Sequence, residues 1–373
     1  MAESNGIYHL FEECLARAAS DLHLAVGSPP MLRIEGTLEP VAGQPAITSE
    51  LMEEYVAPLL AQTSSDWSRG SIDGAIRGPG GSRFRFNVFR RQGGLSIALR
   101  RLEDRFRSLG ELGLPENLHA LCALRDGLVL VCGPTGAGKS TTLATLIDRI
   151  NRTRACHIVT IEDPIEYLHQ PVKSLVNQRQ VGLDAPSFND ALVASLRQDP
   201  DVVLVGEIRD LATIRTAITA AETGHLVFAT VHAGDSVGAL ERLVAVFPEG
   251  EQEGVRRQCA LVLRAVVAQH LLPRSSTNGD RSRVAASEVL MVTPAVANLI
   301  ATGRTAQIYS LMDAGRAAGM QTLEQDLARL WMAGQISEQA AVACARNPAV
   351  LRDRAALLSR SPRQRGSTKE NKS

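Results

Sequence analysis

The sequence lacks the cysteine patterns that zinc sites and disulfide frameworks require. Its six cysteines are scattered along 373 residues, without a CxxC pair or any closely spaced group. We therefore expect a reducing compartment. Aromatic residues are also scarce, at 4% of the chain, which argues against a stacking platform for single-stranded nucleic acid.

Net charge and long apolar runs are missing as well. Lys+Arg and Asp+Glu number 40 each, so no bulk electrostatic attraction draws the chain to phosphate polymers or acidic lipid, and we expect no nucleic-acid partner. No apolar run approaches the roughly 18 residues that span a bilayer. The first residues lack the basic region and apolar stretch of a signal peptide. We predict a cytoplasmic protein without direct membrane insertion.

The length of the chain and its apolar content of 45% predict two domains with sizeable cores. Residues 1–102 are predicted to form a small α+β domain. An amphipathic helix opens it, and strand-like segments follow: DLHLAV, PPMLRIEG, RFRFNVF and LSIALRRL, the last two joined across a turn at Gln92-Gly93-Gly94. Residues 103–115, which close on Gly113 and Pro115, are predicted to be a linker.

Residues 116–247 alternate short apolar runs with helical segments. The runs GLVLVCG, HIVTIED, DVVLVGE and HLVFATVH are typical of strands buried on both faces of a parallel sheet. This alternation predicts an α/β, RecA-like domain. Residues 248–351, including VRRQCALVLRAVVAQHLL, are predicted to be mainly helical with one strand at VAASEVLMV, and the polar residues 352–373 are predicted to be a disordered tail.

A P-loop motif lies between a strand-like and a helix-like segment. Its residues are Gly133, Pro134, Thr135, Gly136, Ala137, Gly138, Lys139 and Ser140, which fit G-x-x-x-x-G-K-[ST]. Glycines let backbone N–H groups surround phosphate oxygens, and the helix that follows points its positive end at them. We predict that these residues and Thr141 bind ATP, with Lys139 reaching the β- and γ-phosphates and Ser140 ligating Mg²⁺.

Carboxylates follow two of the apolar strands. Glu162 and Asp163 end HIVTIED, and Glu207 ends DVVLVGE, with Arg209 two residues later. Ligands gather at the carboxyl edge of a parallel sheet, where a carboxylate can ligate Mg²⁺, directly or through water, or activate the attacking water. Spacing alone does not assign these roles. In isolation, such residues are as often helix caps and turn residues.

Two histidines and a pair of arginine-bearing strands complete the candidates. His225 and His232 flank the strand LVFATV, where a histidine is either a structural hydrogen-bonding residue or a phosphate sensor. Arginines, including Arg85 and Arg100, line one face of the predicted hairpin. That face is either a solvated side of a half-buried sheet or a surface that meets a nucleotide on an adjoining domain or subunit.

Residues 196–210, LRQDPDVVLVGEIRD, resemble without a gap the signature of the secretion and type IV pilus ATPase superfamily. TIEDPIEY resembles its aspartate box and AETGHLVFATVH its histidine box. ASDLHL and PPMLRIEG resemble the amino-terminal PAS-like domain of the PilT branch, the pilus retraction ATPases. The resemblance covers nearly all of the chain except the tail, and it implies a RecA-like domain preceded by a PAS-like one.

This resemblance implies specific roles. Glu162 would be the general base, Glu207 an atypical Walker B carboxylate near Mg²⁺, and His232 a γ-phosphate sensor. Arg85 and Arg100 would reach toward the nucleotide of a neighbouring subunit in a homohexamer. An inner-membrane pilus platform protein is the implied partner, with a paralogous pilus ATPase as a further candidate, so the motor would be peripheral at the inner-membrane face.

Within the superfamily, the short length and the missing four-cysteine zinc insertion favour pilus retraction and twitching motility. The segment that resembles the AIRNLIRE motif reads AVANLIAT at residues 295–302, and Ala233-Gly234 follow His232 in place of the usual Thr-Asn. These departures leave open an accessory PilU-like paralogue, or an extension or secretion motor. From other classes, a DNA-translocating motor and a catalytically idle ATP-binding scaffold remain as alternatives.

Overall fold

The computed structural model describes residues 6–34, 36–61, 67, 70–102, 105–275 and 282–360. Within these residues the strands form two sheets, one for each of the two regions separated by residues 103–115. The α/β class expected from the sequence is confirmed.

The amino-terminal region is an antiparallel sheet packed against two helices. Its described strands run in the order β3-β2-β1-β6-β5-β4. The bounds are α1 Tyr8–Ala16, β1 Asp21–Ala25, β2 Met31–Ile34, β3 Thr37–Pro40, α2 Ser49–Leu60, β4 Ser71–Arg77, β5 Arg83–Arg91 and β6 Gly94–Leu102. The predicted hairpin is confirmed, since β5 and β6 pair from Arg83↔Leu102 to Arg91↔Gly94.

Alternating burial along β5 explains how this sheet packs against α1. Phe84, Phe86 and Val88 are buried, while Arg85 and Asn87 between them point to the more open face. Phe84 stacks on Phe11 of α1 with ring centroids 4.4 Å apart. The buried face therefore joins the first helix to the sheet, and the other face carries charged side chains.

The second region is built on a mostly parallel sheet with helices around it. Strand order is β13-β12-β7-β11-β10-β8-β9, and β13 is antiparallel to its neighbour. The strands are β7 Gly127–Cys132, β8 His157–Glu162, β9 Leu175–Gln180, β10 Val202–Val205, β11 Leu226–Val231, β12 Leu263–Pro273 and β13 Arg283–Met291. The helices are α3 Leu109–Leu112, α4 Lys139–Thr153, α5 Phe188–Ser195, α6 Leu211–Glu222, α7 Ser236–Ala245, α8 Glu249–Val262, α9 Pro294–Ala301, α10 Ile308–Ala314, α11 Leu323–Met332, α12 Glu338–Cys344 and α13 Pro348–Arg360.

The four strands expected from apolar runs are confirmed as β7, β8, β10 and β11. Every residue of β7, β10 and β11 is buried, as expected for parallel strands covered on both faces. These four strands are consecutive in the sheet and mutually parallel. Their carboxyl ends therefore meet at one edge, which is where the P-loop and the predicted acidic residues begin.

Three sequence expectations for the rest of the chain need correction. The helix predicted through RAVVAQHLL is wrong, because α8 ends at Val262 and the chain continues at Leu263 as strand β12, inserted beside β7. The predicted linker contains helix α3, whose Leu109 is fully buried. The predicted disordered tail begins too early, since α13 extends through Arg360; residues 361–373 lie outside the described part of the chain.

Among the helices of the described residues, none is both long enough and apolar enough to cross a membrane. The longest, α4, has 15 residues. A bilayer's hydrocarbon core needs about 20 predominantly apolar residues in a helix.

Candidate nucleotide-hydrolysis site

The P-loop connects the end of β7 to the first residue of α4, Lys139. Gly133 has a φ of 148°, and a Cβ there would stand 2.3 Å from the backbone oxygen of Gln269. Gly138 has a φ of 87°, and a Cβ there would stand 3.2 Å from Nε2 of the same residue. Both positions therefore need glycine, for backbone conformation and for close approach.

Gln269 holds the loop from the neighbouring strand β12. Its side chain is buried, its Nε2 donates to Ala137 O at 2.7 Å, and its Oε1 accepts from Thr142 Oγ1 at 2.9 Å. One amide thus connects the P-loop to the first turn of α4. Sequence reasoning missed this residue because its segment was predicted to be helical.

Lys139 lies over the loop that precedes it. Its Nζ donates to Gly133 O and Pro134 O, each at 3.0 Å. Burial lowers the pKa of this ammonium group, and the nearby Glu207 carboxylate opposes that shift. The lysine is therefore held in place by backbone carbonyls, with a carboxylate close enough to favour its charged form.

A cavity of about 380 Å³ adjoins the P-loop at the carboxyl edge of the sheet. It brings together most of the predicted residues from four separate segments. Those lining it are Thr135, Gly136, Lys139, Ser140, Glu162, Asp163, Glu207, Arg209 and His232. The shared edge of the parallel strands produces this convergence.

Glu162 ends β8 with its carboxylate held by several donors. Thr160 Oγ1 and Gln178 Nε2 both donate to Oε1, at 2.6 Å and 3.1 Å, and the backbone N–H of Glu166 donates as well. Burial raises the pKa of this carboxyl group, and these hydrogen bonds oppose the rise. A carboxylate in this environment is a more basic proton acceptor than an exposed one.

Glu207 follows β10 and contacts two cationic or titratable groups. Its Oε1 lies 3.6 Å from His232 Nε2, and its Oε2 lies 3.8 Å from an Arg209 guanidinium nitrogen. His232 follows β11, the strand next to β10. Side chains from the two adjacent strand ends therefore lie next to one another at the edge of the cavity.

His225 does not belong to this group. It precedes β11, at the opposite end of the strand from His232, and its Nδ1 lies 2.9 Å from Ala220 O and 3.2 Å from Thr223 Oγ1. The phosphate-sensor alternative therefore does not fit His225, which lies at the sheet edge opposite the P-loop. Its contacts fit the structural alternative, in which it joins the end of α6 to the strand.

Arg85 and Arg100 lie on the amino-terminal sheet as directly opposed partners of β5 and β6. Arg100 Nε donates to Asp21 Oδ1 at 2.8 Å, although its side chain remains 70% exposed. Neither arginine lines the P-loop cavity of this chain. The single chain thus presents them on a surface instead of inserting them into its own site.

A second cavity, of about 350 Å³, also adjoins the P-loop. It includes Gly138 and Thr141 of the predicted nucleotide site, together with Arg107, Tyr167 and Arg283. Thr141 Oγ1 and Tyr167 Oη are 3.0 Å apart. Tyr167 is the last residue of TIEDPIEY, but no sequence motif included Arg107 or Arg283, because tertiary folding brings these residues together from separate segments.

Protein side chains alone would not complete the coordination of a Mg²⁺ ion at this site. The described residues contain no group of three or more His, Cys, Asp or Glu side chains arranged to hold a metal. Magnesium in phosphate-transfer sites commonly uses one or two protein ligands together with water and phosphate oxygens. Ser140 and Glu207, which line the same cavity, fit that donor set.

Comparisons with known proteins place the chain among related ATPases. The family model described as "Type II/IV secretion system protein" matches residues 5–343. The type IV pilus retraction ATPase PilT of Pseudomonas aeruginosa strain PAO1 is 42% identical over 329 residues, covering 87% of this chain and 93% of that protein. A twitching motility protein of Neisseria gonorrhoeae is 42% identical over 324 residues, covering 85% of this chain and 84% of its own length.

A solved structure gives the same relationship in three dimensions. The crystal structure of the pilus retraction motor PilT with bound ADP matches with a TM-score of 0.84 and 41% sequence identity. The match covers 93% of this chain and 99% of that one. The likeness therefore includes both sheets and most of the described helices.

Proposed function

The chain belongs to the Type II/IV secretion system protein family, and on that basis we propose that it is an ATP-hydrolysing motor that powers type IV pilus retraction. One observation carries the enzymatic part of this proposal. The cavity beside the P-loop combines Lys139 with two carboxylates, Glu162 and Glu207, at adjacent ends of parallel strands. The direction of work is supported by the retraction and twitching proteins that resemble the chain over most of its length.

ATP fits the residues that surround this cavity. The glycine conformations leave the loop's backbone free of side chains, and α4 directs its positive end toward the same space. Residues 133–141 would surround the phosphates, with the Lys139 ammonium moving from its own loop's carbonyls to the β- and γ-oxygens. The second cavity, which contains Thr141, is suited to the nucleoside half.

Glu162 would act on the attacking water. Its burial raises its affinity for a proton, and three donors fix the orientation of its carboxylate, so it can accept the proton of a water aligned with the γ-phosphate. As the water's oxygen bonds to phosphorus, the bond from phosphorus to the bridging oxygen breaks, and ADP leaves with that oxygen.

Glu207 and Ser140 would hold Mg²⁺, directly or through water. The ion, when bound, neutralises charge on the phosphate oxygens. His232, 3.6 Å from Glu207, would sense the γ-phosphate through a hydrogen bond. Arg209 would balance the charge of Glu207. Asp163, next to the proposed base Glu162, would keep the electrostatic potential negative near the attacking water.

Residues 1–102 and 116–351 would move relative to one another as domains of a homohexamer. In that ring, Arg85 and Arg100 would contact the nucleotide of a neighbouring subunit, so that hydrolysis changes domain orientation. The exposed position of Arg100 in the single chain supports a role between subunits. Force would pass to an inner-membrane platform protein from the cytoplasmic side, and a paralogous pilus ATPase could share the work.

Two measurements test this proposal. Purified protein with Mg²⁺ should release phosphate from ATP, and Lys139→Ala should abolish that release because the γ-phosphate loses its cationic partner. Deletion of the gene in a piliated host should give excess surface fibres and loss of twitching. Bald cells would instead indicate an assembly motor, and unchanged piliation would exclude a principal role in retraction.

A further inference from the structure

Gln178 contacts the proposed base and the loop beside it with one side chain. It lies on β9, the edge strand next to β8, directly opposite Thr160. Its Nε2 donates to Glu162 Oε1 at 3.1 Å and to Tyr167 O at 2.8 Å, and its Oε1 accepts from the His169 backbone N–H at 2.8 Å. Every hydrogen-bonding end of the amide is therefore used.

The Glu162 carboxylate accepts a second hydrogen bond beside the one from Gln178. Thr160 Oγ1, on the same face of β8, donates to the same Oε1 atom at 2.6 Å. Thr160 is fully buried, so its hydroxyl orientation is determined by packing. Two neutral donors on adjacent strands thus fix one oxygen of the carboxylate, and rotation of that group would break both hydrogen bonds.

We propose that Gln178 is a positioning residue for ATP hydrolysis, whose amide holds Glu162 in the orientation that activates water and connects that orientation to residues 164–170. This inference rests on the proposed function of the same site. Residues 164–170 include Tyr167, which lines both cavities beside the P-loop, so the amide also links the base to the wall of the nucleotide site.

The charged groups around Glu162 determine how loss of the Gln178 amide changes the protonation of this carboxyl group. The charged or titratable groups that line its cavity with it are Lys139, Asp163, Glu166, Tyr167, His169, Glu207, Arg209 and His232. Burial, and to a smaller extent the acidic neighbour Glu166, raise the pKa of the Glu162 carboxyl group, whereas the hydrogen bonds from Thr160 and Gln178 lower it. Removing one of these donors moves the balance toward the inactive, protonated form.

The strand supplies a matched control. Gln180 lies two residues along on the same face of β9 and is the direct strand partner of Glu162. Its side-chain Oε1 accepts from the Ile165 backbone N–H at 3.4 Å, so it also contacts the loop. Gln178→Glu keeps the acceptor for His169 but replaces the donor to Glu162 with a negative charge, and Gln180→Leu removes only a loop contact.

The experiment measures ATP hydrolysis across pH 5 to 9 for the full-length wild type, Gln178→Glu, Gln180→Leu and Thr160→Val. We expect Gln178→Glu to lower kcat by about tenfold or more, with little change in KM, and to move the acid limb of the profile to higher pH. Thr160→Val, which removes the other donor to the same oxygen, should move the limb in the same direction. If Gln178→Glu does not fold, the same measurement on Gln178→Leu, which removes the donor without adding a charge, keeps the test decisive. Gln180→Leu should retain the wild-type limb.

Two results would overturn the inference. The first is a wild-type kcat and pH profile for a folded Gln178→Glu or Gln178→Leu protein. The second is an equal displacement of the limb by Gln180→Leu, which would show that loop attachment alone matters. A wild type that releases no phosphate would instead overturn the proposed function itself, together with this inference, so the two failures are distinguishable.

Discussion

Arg100 Nε and Asp21 Oδ1 are 2.8 Å apart, and they join two neighbouring strands of the amino-terminal sheet. Asp21 is only 7% exposed, and Arg33 approaches its other carboxylate oxygen at 3.9 Å. Strand pairing places Arg33, Asp21, Arg100 and Arg85 in one row across four strands. The buried Asp21 carboxylate thus orients the exposed guanidinium of Arg100 through this hydrogen bond.

The first prediction concerns this row. Arg100→Ala should lower the ATPase rate of the assembled protein by on the order of 10³-fold, because an arginine that stabilises charge on the transferred phosphoryl group is lost. Unfolding free energy should fall by about 1 kcal/mol or less, since the Arg100 side chain is 70% exposed and solvent screens its charge. Both are measured at a protein concentration at which the ring forms.

Arg33→Ala is the matched control for Arg100. It removes the other arginine that flanks Asp21 while leaving the proposed inter-subunit contact in place. It should retain most of the wild-type rate. Equal losses in the two variants would mean that only the charge balance around Asp21 matters, and the inter-subunit role of Arg100 would be wrong.

The second prediction separates binding from hydrolysis at Glu162. Glu162→Gln keeps the side-chain shape but cannot accept the proton of water, so kcat should fall by about 10²- to 10⁴-fold while ATP affinity stays near the wild-type value. A fluorescent ATP analogue measures binding, and phosphate release measures turnover. Asp163→Asn, next in the chain, should have a much smaller effect on kcat; a hydrolysis rate near wild type in Glu162→Gln would assign the base elsewhere.

The third prediction concerns stability at acidic pH. His169 is buried against Phe106, with ring centroids 4.7 Å apart, and burial lowers the pKa of its imidazole to about 4. The unfolded chain binds this proton near pH 6.5, so below that pH the unfolded state holds more protons than the folded one. The stability this histidine contributes is therefore present above pH 6.5 and is lost as pH falls toward 4.

Urea unfolding at a series of pH values measures this loss. Between pH 7 and pH 4, the histidine should account for a decrease of about 3 kcal/mol in unfolding free energy. His169→Phe keeps an aromatic ring against Phe106 but cannot ionise, so its stability should depend less steeply on pH over this window. Parallel pH profiles for the two proteins would contradict the assignment.

The fourth prediction concerns the amide behind the P-loop. Gln269→Leu leaves Ala137 O and the Thr142 hydroxyl without their partner in a buried place, so unfolding free energy should fall by about 1–3 kcal/mol. ATP affinity should fall as well, because the loop and the first turn of α4 lose their connection. Urea unfolding and nucleotide titration measure the two effects.

Gln252→Leu provides the comparison for Gln269. Its amide also donates to a backbone oxygen, Phe247 O at 3.1 Å, but it lies on α8 and lines a different cavity. It should change ATP affinity little. A Gln269→Leu protein with unaltered nucleotide binding would show that β12 does not support the loop.

Local sequence predicted the parts of the site that depend on chemistry and strand position. The three glycines of residues 133–138 follow from local backbone geometry, because each adopts a positive φ that other residues rarely tolerate. Glu162 and Glu207 lie at the ends of short apolar runs that alternate with helical segments, a pattern typical of parallel strands, so their place at one sheet edge followed from parallel pairing. The same reasoning could not separate the roles of the two carboxylates.

The two histidines show where a local pattern becomes insufficient. His225 and His232 both flank the strand β11, but only the direction of the chain through the sheet puts His232 at the edge with the P-loop. The side chain of His225 then bonds back to the helix before it. Which of the two flanking histidines lies near the P-loop therefore depends on the direction in which β11 runs through the sheet.

By itself, the sequence determined the phosphate-binding loop, the buried parallel strands and the carboxylates at their ends, since glycine conformation and apolar runs act locally. Tertiary structure decided that residues 263–273 form strand β12 and not a continued helix, because an apolar run suits either until β7 offers backbone partners. Tertiary structure also decided that Gln178 contacts Glu162 and that Gln269 contacts the P-loop. Hydrogen bonds between residues far apart in sequence depend on strand order, which no local pattern specifies.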